Sequence, residues 1–385
     1  MKQFLIAFFS LLPIWTLATE KFDIICGPYL QNVTENEVTV VWVTNSNAVS
    51  WVELAPDDET SFYAEERPQF FETNFGRKAI GRLHKVRLYG LEKATKYRYR
   101  IFSKEVVEET SKFVAYGKIV ASNVYRKAPL TFKTLDTSKS ECHFSMINDI
   151  HANDTLLASL LGQVDFKSSD FVVFNGDMLS SMESEKQLFD AFLTRSVQTF
   201  ASELPFVYVR GNHEARGVFS NEYMDYFPAA SAQPYYTFRQ GPTFFIVMDG
   251  GEDKPDTDIE YNGLGAFDQY RKEQVEWLQK VIDSEDFKQS SVKIVLLHVP
   301  PVESTWHGSI EIKKLFIPLL NKAGINLMLS GHLHEHFYIP KGKGECDFPV
   351  LINSNRHLTD VRVQNNTITI RITDEEGKLF KEIKL

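Results

Sequence analysis

Between residues 135 and 141 the chain changes its pattern, and this change limits the fold more than any other feature. From Cys26 to about Leu135, polar and apolar residues alternate in short runs. These are Val38-Thr39-Val40-Val41-Trp42-Val43, Trp51-Val52-Glu53-Leu54, Lys85-Val86-Arg87-Leu88, Tyr97-Arg98-Tyr99-Arg100-Ile101 and Leu130-Thr131-Phe132-Lys133-Thr134. Period-two alternation bounded by polar turns marks half-buried strands, and so many in series predict an all-β sandwich. Residues 102–128 form an extra segment that the simplest seven-strand plan does not need. Leu135-Asp136-Thr137-Ser138-Lys139-Ser140-Glu141 is polar and reads as a linker.

Beyond the linker, short apolar runs alternate with stretches of helical spacing. His143-Phe144-Ser145-Met146-Ile147 is followed by Leu156, Leu157, Leu160, Leu161 and Val164 at helical intervals, then by Phe171-Val172-Val173-Phe174. This is a β-α-β unit, so its two strands are expected to be parallel. The alternation continues through a helix around 183–200, strands at 206–209 and 243–248, a helical face at 275–282, a strand at 292–297, a helix near 310–320 and a strand at 325–329. Further strands follow at 337–339, 350–352, 361–363 and 367–372. A mostly parallel sheet joined by a later antiparallel set, with helices outside, is the most economical arrangement of these elements. The expected organisation is an N-terminal domain over residues 19–136 and a second domain over 141–385.

Length and charge narrow the function. The chain has 385 residues, enough for two ordinary domains. Its formal charge of -9 is spread without long runs of one sign, so no basic footprint for nucleic acid is present. Residues 1–18 read as an export signal: Lys2 is the positive start, Phe4 to Trp15 the apolar run, and Thr16-Leu17-Ala18 a small-residue cleavage site. The run is too short for a comfortable membrane span, and no other stretch would anchor the chain. An exported protein, periplasmic or extracellular, cleaved near Ala18, is expected. Three cysteines, Cys26, Cys142 and Cys346, leave at least one unpaired, and a Cys142–Cys346 bridge is allowed in an oxidising compartment.

The chemistry concentrates at the ends of the apolar runs. Asp149-Ile150-His151, Gly176-Asp177, Gly211-Asn212-His213-Glu214, His298 and Gly331-His332-Leu333-His334 each fall where a buried strand would finish. Open α/β sheets bind ligands at such carboxyl ends. Six of the ten histidines, His151, His213, His298, His332, His334 and His336, lie in or beside these blocks. Imidazoles, carboxylates and one amide, without a thiolate, suit divalent first-row metals such as Mn, Fe or Zn. Each block alone is an ordinary turn, but five in order are not.

In that order the blocks resemble the D-x-H, G-D, G-N-H-E/D, H and G-H-x-H signature of the calcineurin-like metallophosphoesterase superfamily, over about residues 141–340. Leu91, Thr95, Tyr97 and Tyr99 resemble the tyrosine corner of fibronectin type III domains. Together the two parts are similar in layout to purple acid phosphatases. The resemblance implies a fibronectin type III-like sandwich followed by an α/β domain whose core is a β-sandwich flanked by helices. It implies two metal ions, divalent or of mixed valence, with Asp149, His151 and His334 holding one, Asn212, His298 and His332 holding the other, and Asp177 bridging. It also implies attack on a phosphoester by a metal-bridging hydroxide, with His213 as proton donor. Purple acid phosphatases resemble D-x-G and G-D-x-x-Y at two of these blocks, whereas this chain has His151 and Ser180 there. A site without a tyrosinate ligand, and without purple colour, is expected.

Three further residues are candidates. Glu214 is expected to steady the turn or an imidazole. Arg216, two residues on, and His307, beside Trp306 in a loop after His298, are candidate substrate contacts. The expected activity is hydrolysis of a small phosphorylated substrate, a phosphomonoester first, with phosphodiester hydrolysis at the same site as the alternative. A 5'-nucleotidase-type reading fits less well, because only 51 residues (385 minus 334) follow His334. A non-catalytic binding protein with a decayed hydrolase domain is the rival from another class, and the complete set of blocks speaks against it.

Overall fold

A computed structural model describes residues 21–343 and 345–385. The expected export signal at 1–18 lies outside the described residues. The N-terminal part contains strands β1 (Ile24–Gln31), β2 (Glu37–Pro56), β3 (Gly81–Tyr89), β4 (Lys96–Glu109), β5 (Val114–Ala121) and β6 (Leu130–Lys133). β2 is one 20-residue strand where two were expected. Its first half pairs with β1 and β3, its second half with β4, so it passes from one layer of the sandwich to the other. Val40, Trp42, Val52, Leu88, Tyr99 and Phe132 fill the space between. The extra segment over 102–128 is the far part of β4 paired antiparallel with β5, a long and largely exposed hairpin.

The second part contains two six-stranded sheets, and the later antiparallel strands expected from the strand succession are shared between them. The first has the order β9-β8-β7-β16-β17-β18, from β7 (Glu141–Ile147), β8 (Phe171–Asn175), β9 (Phe206–Val209), β16 (Leu358–Gln364), β17 (Thr367–Thr373) and β18 (Leu379–Lys384). The second has the order β10-β11-β12-β13-β15-β14, from β10 (Tyr236–Gln240), β11 (Thr243–Val247), β12 (Val292–Leu296), β13 (Leu327–Ser330), β14 (Phe337–Ile339) and β15 (Val350–Ile352). Apolar runs show which segments are buried strands but not which neighbours they bond to, and both inner faces are apolar. Phe144, Val173, Phe245, Ile294, Leu329 and Ile370, drawn from both sheets, form one core, so the two sheets pack face to face as the family resemblance implied. The β7–β8 pairing is parallel, as the β-α-β reading required, with Phe144 opposite Phe171.

Helices cover the outside. α1 (Asp154–Leu161), capped by Asn153, and a helical stretch over 185–201 lie on the first sheet. α2 (Phe267–Asp283) and α3 (His307–Ala323) lie on the second. The two parts of the chain share contacts. Tyr29 Oη donates to the Tyr226 carbonyl at 2.8 Å, Tyr99 Oη to Ser202 at 2.6 Å, and Gln31 Nε2 to Phe206 at 3.2 Å. The linker is held by the β10–β11 turn: Asp136 N donates to Gln240 Oε1 at 2.8 Å and Gly241 N to the Asp136 carbonyl at 3.0 Å. Cys26, Cys142 and Cys346 are buried free thiols, so the allowed Cys142–Cys346 bridge does not form.

Candidate metal centre

The parallel strands of both sheets end on one side of the domain. Asp149 follows β7, Asp177 follows β8, Asn212 follows β9, His298 follows β12, and His332 and His334 follow β13. At those ends the backbone turns sharply. Asp149, His151, Asp177, His332 and His334 all have left-handed φ, between 48° and 73°. Such conformations cost about 1–3 kcal/mol each and persist only where the surroundings impose them, most often at functional sites. Gly211 has a different reason for being glycine from the turn suggested by its neighbours: its φ is not left-handed. A Cβ there would lie 2.1 Å from Asp177 Oδ1 and 2.5 Å from Asp177 N, so only glycine lets the β8 and β9 loops touch.

The donor atoms converge. Asp149, His151 and His334 offer three that lie within 4.8 Å of one another, and so do Asp177, His298 and His332. His151, Asp177 and His213 form a third such set between them. His151 Nε2 and His334 Nε2 face each other at 3.1 Å, and His334 Nε2 lies 3.4 Å from Asp149 Oδ1. His298 Nε2 lies 3.1 Å from Asp177 Oδ2 and 3.8 Å from Asp149 Oδ1.

These contacts lack what a protein-only arrangement would supply. Asp149 Oδ1 is buried and accepts no hydrogen bond, although Oδ2 of the same carboxylate accepts from Asn148 Nδ2 at 2.6 Å and His332 N at 2.8 Å. The Asn212 amide lies beside both sets: turned with its nitrogen toward Asp177 Oδ2, 3.2 Å away, and His332 Nδ1, 3.0 Å away, it donates to both while its oxygen accepts from Arg216 Nη2 at 3.1 Å. One orphaned carboxylate oxygen and an imidazole–carboxylate donor set fit divalent metal ions.

The imidazoles and carboxylates of the site also interact by charge. Burial works to lower the His298 pKa, yet the Asp177 and Asp149 carboxylates overcome it and push it up to about 10. Burial works to raise Asp177, but His298 and His213 hold it well below the usual carboxylate range. Burial lowers His332 to about 4 and lowers His151, whereas the Asp149 carboxylate beside it raises His334. His213 is oriented by the chain: its Nδ1 lies 2.7 Å from the Ser180 carbonyl, an acceptor, so Nδ1 carries the hydrogen and Nε2 points into the site, 3.8 Å from Asp177 Oδ2. The Ser180 hydroxyl, where the resemblance expected tyrosine in the purple enzymes, is 3.5 Å from His151 Nδ1.

Around the donors lies a buried supporting set. Glu214, 0% exposed, accepts from Asp177 N at 2.8 Å, Gly211 N at 2.9 Å, Leu179 N at 3.2 Å and Tyr208 Oη at 2.7 Å. It therefore ties the β8 loop to the β9 loop. Behind Asp149, Asn148 Oδ1 accepts from Asn353 Nδ2 at 2.8 Å, and Asn353 Oδ1 accepts from Thr359 Oγ1 at 2.9 Å. All three are fully buried, so their mutual bonds hold the orphaned Asp149 oxygen in place.

Arg216 lies beside His213, with Nη1 3.5 Å from the ring, but it is not a free cation. It makes a two-pronged pair with Glu252 at 2.7 and 2.8 Å and reaches Asp253 at 3.3 Å. His307 is paired with Asp268 at 2.9 Å, and no donor atom of the cluster is among its partners. Glu252 and Asp253 went unnoticed in the sequence, although Asp253 Oδ2 lies 3.8 Å from His332 Nε2. The signal was available: Gly250-Gly251-Glu252-Asp253 follows the carboxyl end of β11, a sixth strand end on the same side.

Residues 143–336, just over half of the chain, match the family described as calcineurin-like phosphoesterase, and residues 27–115 match the purple acid phosphatase N-terminal domain. Purple acid phosphatase 21 of Arabidopsis thaliana is 23% identical over 263 residues, covering 66% of this chain and 53% of that protein. The serine/threonine-protein phosphatase CPPED1 of Mus musculus is 24% identical over 182 residues, covering 43% of this chain and 54% of that one. The chain thus spans about half the length of the curated relatives it matches. A solved structure of a purple acid phosphatase from yellow lupin (Lupinus luteus) seeds superposes with a TM-score of 0.66 at 13% identity, covering 93% of this chain and 73% of that one, which shows a common fold. By its family match, its two-part layout and its fold, the chain belongs to the calcineurin-like phosphoesterase family, joined to a purple acid phosphatase N-terminal domain.

Proposed function

We propose that this protein is an exported, two-metal hydrolase of phosphoesters, phosphomonoesters first. Asp149, His151 and His334 would hold one ion, Asn212, His298 and His332 the other, with Asp177 shared. The observation that carries the reading is the pair of three-donor clusters meeting around the orphaned Asp149 Oδ1. Two cations bound there would supply an acidified water and neutralise phosphate charge. The chain's own residues do the rest. Asp149 and Asp177 bring negative charge to buried positions, and the Asn148–Asn353 pair keeps the first of them oriented. His213, its Nδ1 hydrogen committed to Ser180, presents Nε2 to the substrate and, when protonated, gives that proton to the leaving oxygen. Such transfer is typically worth about 10² to 10⁴ in rate.

One observation favours the diester alternative. Arg216, the guanidinium beside His213, is engaged by Glu252 and Asp253 and has little charge to spare for the second negative charge of a monoester. The protein loaded with Mn, Fe or Zn and given nitrophenyl phosphate and bis-nitrophenyl phosphate decides between them. The expected result is faster hydrolysis of the monoester. Preference for the diester selects the alternative, and no turnover of either by protein shown to hold two metal ions would sink the hydrolase reading.

A further inference from the structure

A second site lies at the other end of the same strands. Between the N-terminal sandwich and the second domain is a cavity of about 470 Å³. Its apolar wall is built from Val33 and Leu91 of the sandwich side and Phe171, Phe206 and Phe238 of the other. Phe171 and Phe206 begin β8 and β9, whose far ends lead to Asp177 and Asn212. By strand rise this places the cavity roughly 15–20 Å from the metal donors. It is not part of the candidate metal centre.

Two cations share this wall, Arg239 and Lys93. Among the described residues neither stands within 4.0 Å of a carboxylate, and Arg239 Nε is buried with no hydrogen-bond partner. Glu35, the carboxylate on the same wall, is turned aside, accepting from Thr137 N at 3.0 Å and Thr137 Oγ1 at 2.6 Å. A buried guanidinium donor without an acceptor is costly and in a finished protein is met by a partner. An apolar cavity of 300–1,000 Å³ at a domain interface, with a few placed polar groups, is the ordinary form of a small-molecule site. The protein as a whole is acidic, at -9, which makes an unpaired cation pair in an aromatic pocket a local exception.

We propose that this cavity binds an amphipathic organic anion, an apolar body carrying one carboxylate or sulfonate, with Arg239 receiving the acidic group and the three phenylalanines holding the body. Phe238 packs against the cores on both sides of the cavity, so a bound anion would touch both parts of the chain at once. No bond is made or broken there, and the inference does not depend on phosphoester chemistry.

Fluorescence titration of the full chain with 8-anilino-1-naphthalenesulfonate tests it. One saturable site is expected, displaced by dodecanoate and not by dodecanol or dodecyltrimethylammonium. Arg239→Met should weaken binding at least tenfold. Thr237→Trp, which fills the cavity and keeps both cations, should abolish it, so the test survives if the first variant fails to fold by circular dichroism. Absence of saturable binding, equal displacement by the cation, or unchanged affinity in the folded variants overturns the proposal.

Discussion

The two ends of the parallel strands differ in almost every physical respect. At the carboxyl ends, β7, β8, β9, β12 and β13 deliver carboxylates, imidazoles and an amide, and the donors after β7, β8 and β13 sit on left-handed backbone. At the amino ends, β8 and β9 start with phenylalanines that line a cavity against the sandwich. Largely apolar strands connect the two ends, with every residue of β8 buried. The contrast teaches that polarity is placed by topology. In a parallel sheet all strands point the same way, so one edge collects the loops that follow them, and chemistry assembled from distant parts of the sequence can meet only there.

The strongest test of that division is a pair of substitutions at the carboxyl ends. Asp177→Asn is expected to lose bound metal and to lower phosphoester turnover by more than about 10³, since its carboxylate takes part in two donor clusters. His213→Ala should keep the metal content and lose about 10² to 10⁴ in turnover. Metal analysis beside the ester assay reads both, and equal metal loss in the two variants would erase the proposed separation of roles.

A smaller effect is expected one shell back. Asn353→Ala removes the amide that holds Asn148 against Asp149, and should weaken metal binding about 10- to 100-fold without altering the cavity at the amino ends. Metal titration checks the first part and anion binding the second. If both ends lose affinity together, they are not independent.

The smallest effect belongs to a histidine at neither end. His84, on β3, is buried in the sandwich, where Thr44 Oγ1 lies 2.9 Å from its Nε2. Burial lowers its pKa from the ordinary 6.5 to about 3. The unfolded chain therefore takes up a proton at a higher pH than the folded chain does. Its share of stability is intact above about pH 6.5 and shrinks as pH falls toward 3. At pH 5 the loss is about 2 kcal/mol. Urea unfolding of the wild type and His84→Gln at pH 7.5 and pH 5 should show this difference in pH sensitivity. Equal sensitivity would mean that the sandwich histidine is not held neutral.

Much of this was legible before any coordinates. The period-two runs marked the sandwich strands, and the polar blocks at strand ends marked Asp149, His151, Asp177, Asn212, His298, His332 and His334, which the structure brings together. Glu214 was read as a support, and the structure gives its carboxylate four hydrogen bonds. Other residues resisted for stated reasons. Arg216 and His307 look available in a sequence, because a carboxylate that neutralises a cation lies far away along the chain: Glu252 is 36 residues from Arg216 and Asp268 is 39 from His307. Asp253 was passed over because an acidic pair after a glycine pair looks like a surface turn. The splitting of the strands into two sheets came from the family resemblance and not from the apolar runs, because hydrogen-bond partners leave no mark on a buried strand.

By itself, then, the sequence determined which residue types were available and at which strand ends they stood, because period-two and helical spacing reflect local burial. Tertiary structure alone decided that Gly211 must be glycine for room and not for a turn, that Asp149 keeps one oxygen free while Asn148 and His332 occupy the other, and that Arg239 faces an apolar cavity without a partner. These are distances between segments far apart in the chain, and they exist only once the two sheets have packed and carried the loops with them.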